Sequence, residues 1–193
     1  AVAVPGCHGF LPPKTYGAAD ILRLEGLVDH FERRNGVAPG SLEFILSLET
    51  AQAYAECEAM LRASPRCATL FAGTARDADV SRSIGFEFTP EGLETLYLRS
   101  RAVLAVRAAG KDFPIVGLWQ DLTDDAGAWE FARANKRLGF TGLVSIHPKH
   151  VAIANEVFMP TAQEISFYRG MIEAFEAGLT RGVAAVAYEG MHI

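Results

Sequence analysis

Short apolar runs alternate with longer helical patterns along most of the chain, and this alternation restricts the fold more than any other feature. The clearest run, 42–48 (LEFILSL), is almost continuously apolar, as expected for a strand covered on both faces. Similar runs recur at 68–72 (ATLFA), 115–119 (IVGLW) and 142–146 (GLVSI). Strict alternation of strand and helix is typical of a parallel sheet with right-handed crossovers.

Helical patterns fill the intervals between these runs. The spacing of apolar residues predicts helices at 18–34, 50–63, 89–109 and 124–138, and the C-terminal part is predicted to be helical. Pro90 is interpreted as a helix-starting proline and Gly110 as the end of that helix. Two short extended segments, at 2–4 and 9–11, precede the first helix.

Two α/β architectures fit this order, an open doubly wound sheet and a (β/α)₈ TIM barrel. No glycine-rich phosphate fingerprint follows any predicted strand, which favours the barrel. A whole barrel has eight strands and usually about 250 residues. We therefore expect an incomplete barrel whose remaining strands lie in sequence outside this chain, with 1–193 as a single domain, the C-terminal major part of a TIM barrel with C-terminal helices.

Composition excludes several classes of function. The formal net charge of −5 is mild, and Lys and Arg are scattered among Asp and Glu, so a nucleic-acid partner is not expected. Cys7, Cys57 and Cys67 are odd in number without metal-ligand spacing, which favours reduced, partly buried thiols in the cytoplasm. No apolar stretch is long enough to span a bilayer, so no membrane partner is expected.

Polar residues follow the predicted strands at the edge where α/β proteins carry their chemistry. Glu49 is the strongest candidate, because it stands directly between a buried strand and a helical pattern. For each carboxylate, a helix N-cap or a solvated loop is the alternative interpretation. The residues in such positions are Lys14, Glu49, Asp77, Asp79, Asp121 and His147.

Converging carboxylates at strand ends suit a hard divalent cation. Mg²⁺ takes one or two protein carboxylates and leaves its other positions to water and substrate. Such an ion can polarise a carbonyl group and stabilise a developing enolate. His147 is expected to shape the loop at its strand end or to donate a hydrogen bond in the site. Pro148 lies between His147 and His150 and argues against one continuous helix face, so a zinc pair is not expected.

Six segments, in order, resemble motifs of the HpcH/HpaI aldolase/citrate lyase family, which includes citrate lyase beta subunits and malyl-CoA and citramalyl-CoA lyases. LSLETAQAY resembles the family's "IETA" motif, and LPPK resembles its strand-end "lPK". The remaining four segments are FAGTARDADVSRSIG, YLRSRAVLAVRAAG, GFTGLVSIHPKHVAIANEVFMPT and AYEGMHI. Together they extend from about residue 9 to the last residue.

This resemblance implies a TIM barrel of the phosphoenolpyruvate/pyruvate type, assembled as a homo-oligomer, a trimer or hexamer. It implies Mg²⁺ held by Glu49 and by Asp79, with Asp77 as the alternative because this loop is two residues longer than the usual pattern. Lys14 and His147 are expected to line the catalytic pocket, and Lys14 and Pro148 to contact the CoA thioester substrate. The "GK" of the family is Gly142-Leu143 here, and the family's site arginine and "DLED" segment have no counterpart in this chain.

The activity implied is cleavage of a 3-hydroxyacyl-CoA of the malyl-, citramalyl- or citryl-CoA type into a keto acid and an acyl-CoA, through a metal-stabilised enolate. Two alternatives stay open at the level of sequence. One is a metal-dependent aldolase acting on free 2-keto acids without CoA. The other is a non-catalytic barrel relative that serves as an oligomer subunit.

Overall fold

The central feature is a sheet of five parallel strands in which each strand pairs with the next along the chain. The computed structural model describes residues 3–183 and 185–193. A doubly wound sheet reverses its strand order at a switch point, whereas the order here is β1-β2-β3-β4-β5. The strands are β1 (Gly9–Phe10), β2 (Glu43–Leu48), β3 (Cys67–Ala72), β4 (Ile115–Val116) and β5 (Gly142–Leu143).

This consecutive order confirms the predicted α/β class and the incomplete barrel. Helices alternate with the strands and continue after β5, so each crossover between parallel strands contains at least one helix. The helices are α1 (Ala18–Asn35), α2 (Ala51–Ala63), α3 (Asp79–Ile84), α4 (Leu96–Ala108), α5 (Asp125–Leu138), α6 (Lys149–Phe158) and α7 (Ala162–Thr180). None of the helices in the described residues combines the length and the apolar character that a membrane span needs.

The core forms around β2 and β3, the two longest strands. Phe44, Leu46 and Leu48 alternate along β2 and are completely buried, together with Leu70 of β3. Burying such side chains stabilises the fold by about 1.5–3 kcal/mol each. Of the three cysteines, Cys57 and Cys67 are buried and Cys7 is partly exposed, and all three are free thiols.

A buried ion pair fixes α1 against the start of β2. Both guanidinium nitrogens Nη1 and Nη2 of Arg66 contact the Glu32 carboxylate, at 2.7 and 2.6 Å. The backbone N–H groups of Gly40 and Leu42 also donate to Glu32. The Arg66 hydrogen bond is the largest influence on Glu32, and it outweighs burial, so the pKa of this carboxyl falls to about 2. Charge pairing and hydrogen bonds together permit a glutamate to be completely buried here.

The structure corrects the predicted helix at 89–109. Pro90 does not start a helix: the backbone of Gly92 is left-handed (φ +65°), a 3₁₀ turn follows at Leu93–Thr95, and α4 begins only at Leu96. The Glu94 carboxylate accepts hydrogen bonds from the backbone and hydroxyl of Thr89, at 2.9 and 2.8 Å, which closes this segment into a loop. Local hydrogen bonding therefore overrides the apolar periodicity.

Four further differences concern short elements. The predicted strands at 115–119 and 142–146 are paired over two residues each, and α3 was not predicted. The segment at 2–4 lies partly outside the described residues, and Ala3 and Val4 are not in a strand. The helical C-terminal part ends in an antiparallel hairpin of β6 (Ala187–Tyr188) and β7 (Met191–His192).

The chain divides into two compact units, Ala1–Phe158 and Met159–Ile193. The first contains the five-stranded sheet. The second consists of α7, begun by a capping box between Thr161 and Glu164, and the hairpin, whose Tyr188 ring packs against Gly170. An added Cβ at Gly170 would lie 2.1 Å from the Tyr188 hydroxyl. The treatment of 1–193 as a single domain stays a prediction.

Candidate active site

Lys14 connects the ends of three elements at the carboxyl edge of the sheet. It follows β1, and its backbone N–H donates to Glu49 Oε2 at 3.1 Å. Its ammonium group pairs with Asp79 Oδ2 at 3.1 Å. The backbone of Lys14 is left-handed (φ +51°), a conformation uncommon for a side chain of this size. Such strain persists where surrounding contacts over-determine it and is concentrated at functional sites.

Glu49 is held by its neighbours on β2. The Ser47 hydroxyl donates to Glu49 Oε1 at 2.8 Å, and Ser47 is completely buried. Thr50, not Glu49, is the N-cap of α2, since its hydroxyl accepts from the Ala53 N–H. This removes the N-cap interpretation of Glu49. Ser47 was not among the predicted site residues, although a serine within the otherwise apolar run LEFILSL was a signal in the sequence.

Asp79 lies in the first turn of α3, where its second oxygen is 3.6 Å from Arg82 Nη1. Asp77 differs from it. Its backbone is left-handed (φ +53°), its carbonyl accepts from the Arg82 side chain, and within the described residues its carboxylate has no hydrogen bond or ion pair. Of the two aspartates, Asp79 is therefore the one that contacts Lys14, and the residues Lys14, Glu49 and Asp79 together form the Lys14 cluster.

The electrostatics of this cluster favour a cation. The hydrogen bond and the charge of Asp79 raise the pKa of Lys14, with Glu49 contributing less. The Lys14 ammonium thus already occupies a position where two carboxylates offer negative charge. No group of three or more metal-ligating side chains occurs among residues 3–183 and 185–193. Two carboxylates nevertheless match the donor set of Mg²⁺, which keeps several waters or substrate oxygens.

Two glycines allow the loops that follow β3 and β4 to pass close to the backbone of the preceding strand in the sheet. Gly73 follows β3, and a Cβ there would lie 2.8 Å from the Leu48 carbonyl oxygen. Gly117 follows β4, and a Cβ there would lie 2.9 Å from the Ala72 carbonyl oxygen. The Tyr54 hydroxyl donates to the Gly73 carbonyl at 2.7 Å, which fixes the loop start from the α2 side. The position of Asp79 therefore depends on the absence of side chains at these points.

A cavity of about 470 Å³ lies between the loops that follow β3 and β4, and Asp77 is part of its wall. Its walls are joined by Gln120, whose amide accepts from the Arg76 N–H at 2.6 Å and donates to the Arg76 carbonyl at 3.0 Å. Asp121 also lines it, and two hydrogen bonds from Thr123 lower the pKa of its carboxyl. The lining residues are Arg76, Asp77, Phe88, Pro90, Trp119, Gln120, Asp121 and Asp124.

His147 and Pro148 lie in the loop after β5 and are exposed. The His147 Nδ1 atom accepts the Lys149 N–H at 3.2 Å, which opens α6. In the described part of the chain His147 makes no hydrogen bond or ion pair with Lys14, Glu49 or Asp79. The structure therefore brings three of the predicted site residues together and leaves His147 and Pro148 at a separate strand end.

These features define a class: an α/β barrel domain with two carboxylates and a lysine at the carboxyl ends of neighbouring strands. The chain belongs to the HpcH/HpaI aldolase/citrate lyase family, whose model matches residues 1–148. It is 34% identical to the L-malyl-CoA/beta-methylmalyl-CoA lyase of Cereibacter sphaeroides (strain ATCC 17025 / ATH 2.4.3), over 92% of this chain and 60% of that protein. It is 30% identical to the citrate lyase subunit beta of Escherichia coli (strain K12), over 92% of this chain and 58% of that protein.

Solved structures show the same fold. A citrate lyase from Burkholderia xenovorans LB400 superposes with a TM-score of 0.78 at 19% identity, covering 96% of this chain and 58% of that one. CitE from Mycobacterium tuberculosis, in complex with magnesium, acetoacetate and coenzyme A, superposes with a TM-score of 0.66 at 20% identity, covering 96% and 62%. The chain thus spans about 60% of the length of the curated relatives it matches.

Proposed function

We propose that the protein to which this chain belongs is a Mg²⁺-dependent carbon–carbon lyase acting on a 3-hydroxyacyl-CoA. The observation that carries the proposal is the convergence of Glu49 and Asp79 on Lys14 at the carboxyl edge of a family-typical barrel sheet. The relatives at 30–34% identity, named as malyl-CoA lyase and citrate lyase subunit beta, support the CoA-ester substrate class.

In this proposal Glu49 and Asp79 hold the metal ion, with Asp77 as the alternative to Asp79. Mg²⁺, when bound, would supply the positive charge that stabilises the enolate left by cleavage of the carbon–carbon bond. Ser47 orients the Glu49 carboxylate through its 2.8 Å hydrogen bond, which leaves Oε2 facing the Lys14 backbone. The Lys14 ammonium offers a donor for an anionic oxygen of the substrate.

The remaining parts of the proposal are the other pocket residues and the assembly. His147 is proposed to donate a hydrogen bond at the pocket, and Lys14 and Pro148 to contact the CoA portion. The protein is proposed to act in the cytoplasm as a homo-oligomer, a trimer or hexamer, as the family resemblance implies. Bond cleavage would release a keto acid and an acyl-CoA.

The test is Mg²⁺-dependent cleavage of malyl-, citramalyl- and citryl-CoA by the full-length protein and by Glu49→Gln, Asp79→Asn and Asp77→Asn variants. Loss of outer partners of a metal site already lowers activity about 10–100-fold. We expect Glu49→Gln and Asp79→Asn to lower kcat/KM by more than that, and Asp77→Asn to lower it by less. Asp77→Asn serves as the matched control, because it removes a carboxylate from the same loop.

Two results would count against the proposal. Cleavage unaffected by chelation of divalent ions would exclude the metal-dependent mechanism. Turnover of free 2-keto-acid aldols in the absence of CoA, with no cleavage of any thioester, would instead support the aldolase, which the family description also includes. A larger loss in Asp77→Asn than in Asp79→Asn would exchange the roles of these two aspartates.

A further inference from the structure

A second recess lies between the loop that precedes α4 and the helices α4 and α5, and it shares Phe88 and Pro90 with the 470 Å³ cavity. Its volume is about 310 Å³, and its walls include Thr74, Phe88, Gly92, Thr95, Arg99 and Arg137. A water molecule has a share of about 30 Å³ of liquid volume, so the recess can hold a ligand of several heavy atoms. Arg99 is only 5% exposed, which makes it the one strongly buried charge in this wall.

The hydrogen-bonding capacity of Arg99 is only partly used. Its Nη1 donates to Asn135 Oδ1 at 3.0 Å and its Nη2 donates to the Gly92 carbonyl at 2.5 Å. Its Nε is buried and has no partner within the described residues. A guanidinium group has five N–H donors in a fork that fits two oxygens of one oxyanion. The buried Nε–H therefore stands as an unmatched donor, and such groups are rare in native proteins.

Arg99 also lacks a close counter-ion. None of the ion pairs in the described part of the chain includes Arg99. The contrast with Arg66 is direct, since that equally buried arginine contacts both Asp29 and Glu32. Glu94 acts on Arg99 only at longer range, and burial lowers the pKa of Arg99 despite it. Burying a charged group without a counter-ion costs free energy of folding, and a bound anion would offset that cost.

The Nη2 side of the guanidinium faces the backbone of Gly92. A Cβ at Gly92 would lie 3.0 Å from Arg99 Nη2, so the glycine keeps this wall free of a side chain. A second cation, Arg137, lines the same recess and is exposed, and its Nη2 pairs with Glu130 at 2.8 Å. Glu91 and Glu130 are the acidic residues of the lining, and both are exposed at its rim.

We propose that this recess is a binding site for a small oxyanion, a phosphate or carboxylate group, that accepts the Nε–H and a neighbouring Nη–H of Arg99. Arg137 supplies the second positive charge from the rim. The ligand would complete the hydrogen bonding of a guanidinium that otherwise serves only to tie Gly92 to α5. The described lining of this recess does not include Lys14, Glu49 or Asp79, and the proposal does not depend on the lyase reaction.

The test follows the arginine Nε–H signals of the full-length protein by ¹H–¹⁵N NMR while inorganic phosphate or acetate is added at constant ionic strength with chloride. We expect the Arg99 signal, assigned by its absence in Arg99→Lys, to move saturably with at least one of the two anions. Arg107 is the control within the same helix, because its side chain is exposed and paired with Asp112 at 3.5 Å. Saturation by phosphate alone would identify a phosphate site, and saturation by acetate a carboxylate site.

A second pair of variants keeps the proposal testable if Arg99→Lys does not fold. Arg137→Gln removes the rim cation, and Arg133→Gln removes an arginine of the same helix that lies over the Trp129 ring instead. We expect Arg137→Gln to weaken anion binding by about tenfold, as loss of a charged donor does, and Arg133→Gln to leave it unchanged. An Arg99 signal that moves no more than that of Arg107 with either anion would overturn the proposal. Equal binding by Arg137→Gln and the wild type would also overturn it.

Discussion

The backbone N–H of Lys14 lies 3.1 Å from Glu49 Oε2, although the two residues are separated by 35 positions and by the whole of α1. Parallel pairing of β1 with β2 produces this contact, because it aligns the carboxyl ends of successive strands. The Lys14 side chain then extends to Asp79, beyond β3. Lys14 therefore contacts residues that follow two other strands, and substitution of Lys14 tests the site directly.

Substitution of Lys14 by Met is expected to tighten Mg²⁺ binding in the absence of substrate. The ammonium lies 3.1 Å from Asp79 Oδ2 and competes with a divalent ion for the same carboxylate. Because the pair is exposed, we expect a modest gain, roughly fivefold in affinity. Calorimetric titration with Mg²⁺ measures it. Lys149→Met, which removes a lysine paired with Asp125 at 2.5 Å, is the control and should leave the affinity unchanged. Weaker binding in Lys14→Met would show that the lysine does not compete for the metal.

Substitution of Glu32 by Gln is expected to lower the free energy of unfolding by about 3–5 kcal/mol, since it leaves the buried Arg66 charge without its main partner. The Glu32 pKa is about 2 in the folded protein against 4.5 for the free group, so its contribution is complete above pH 4.5. The contribution diminishes as the pH falls towards 2.

Urea unfolding of the wild type and Glu32→Gln between pH 7 and pH 2 measures this effect. The difference in unfolding free energy should shrink as the pH falls. Glu58→Gln, at the exposed pair with Arg62, is the control and should cost less than about 0.5 kcal/mol. A difference that stays constant down to pH 2 would contradict the assignment of the low pKa to Glu32.

Substitution of Gly73 by Ala is expected to destabilise the protein by about 1–3 kcal/mol, because its Cβ would lie 2.8 Å from the Leu48 carbonyl oxygen. The displaced loop carries Asp79, so Mg²⁺ affinity should fall as well. Gly26→Ala is the matched control: it lies in the middle of α1 with open space around it and should stabilise by about 0.5–1 kcal/mol. Thermal unfolding of both variants and of the wild type measures these changes. If Gly73→Ala melts at the same temperature as Gly26→Ala, the backbone around Gly73 accommodates the added Cβ, which contradicts the prediction.

Much of the fold could be predicted from local pattern. The predicted ends of β2 and of α5 agree with the structure to within one residue. A strand buried on both faces appears in the sequence as a continuous apolar run, and an amphipathic helix appears as apolar residues with a 3.6-residue period. The loop before α4 could not be placed in this way. There Thr89 and Glu94 form a local hydrogen-bond pair, and Gly92 adopts a left-handed backbone, neither of which disturbs the apolar period.

The candidate site likewise combines features that local sequence pattern predicts with features that it does not. The sequence by itself determined which residues stand after strands, and so selected Lys14, Glu49, Asp77, Asp79, Asp121 and His147 from 193 positions. Only the tertiary structure decided that Lys14 contacts both carboxylates, that Asp77 does not, and that Ser47 holds Glu49 in place. The physical reason is that strand ends are marked by local periodicity, whereas contacts between them depend on strand order and on backbone turns at Lys14 and Asp77. Those contacts join residues far apart in the chain, which no local pattern encodes.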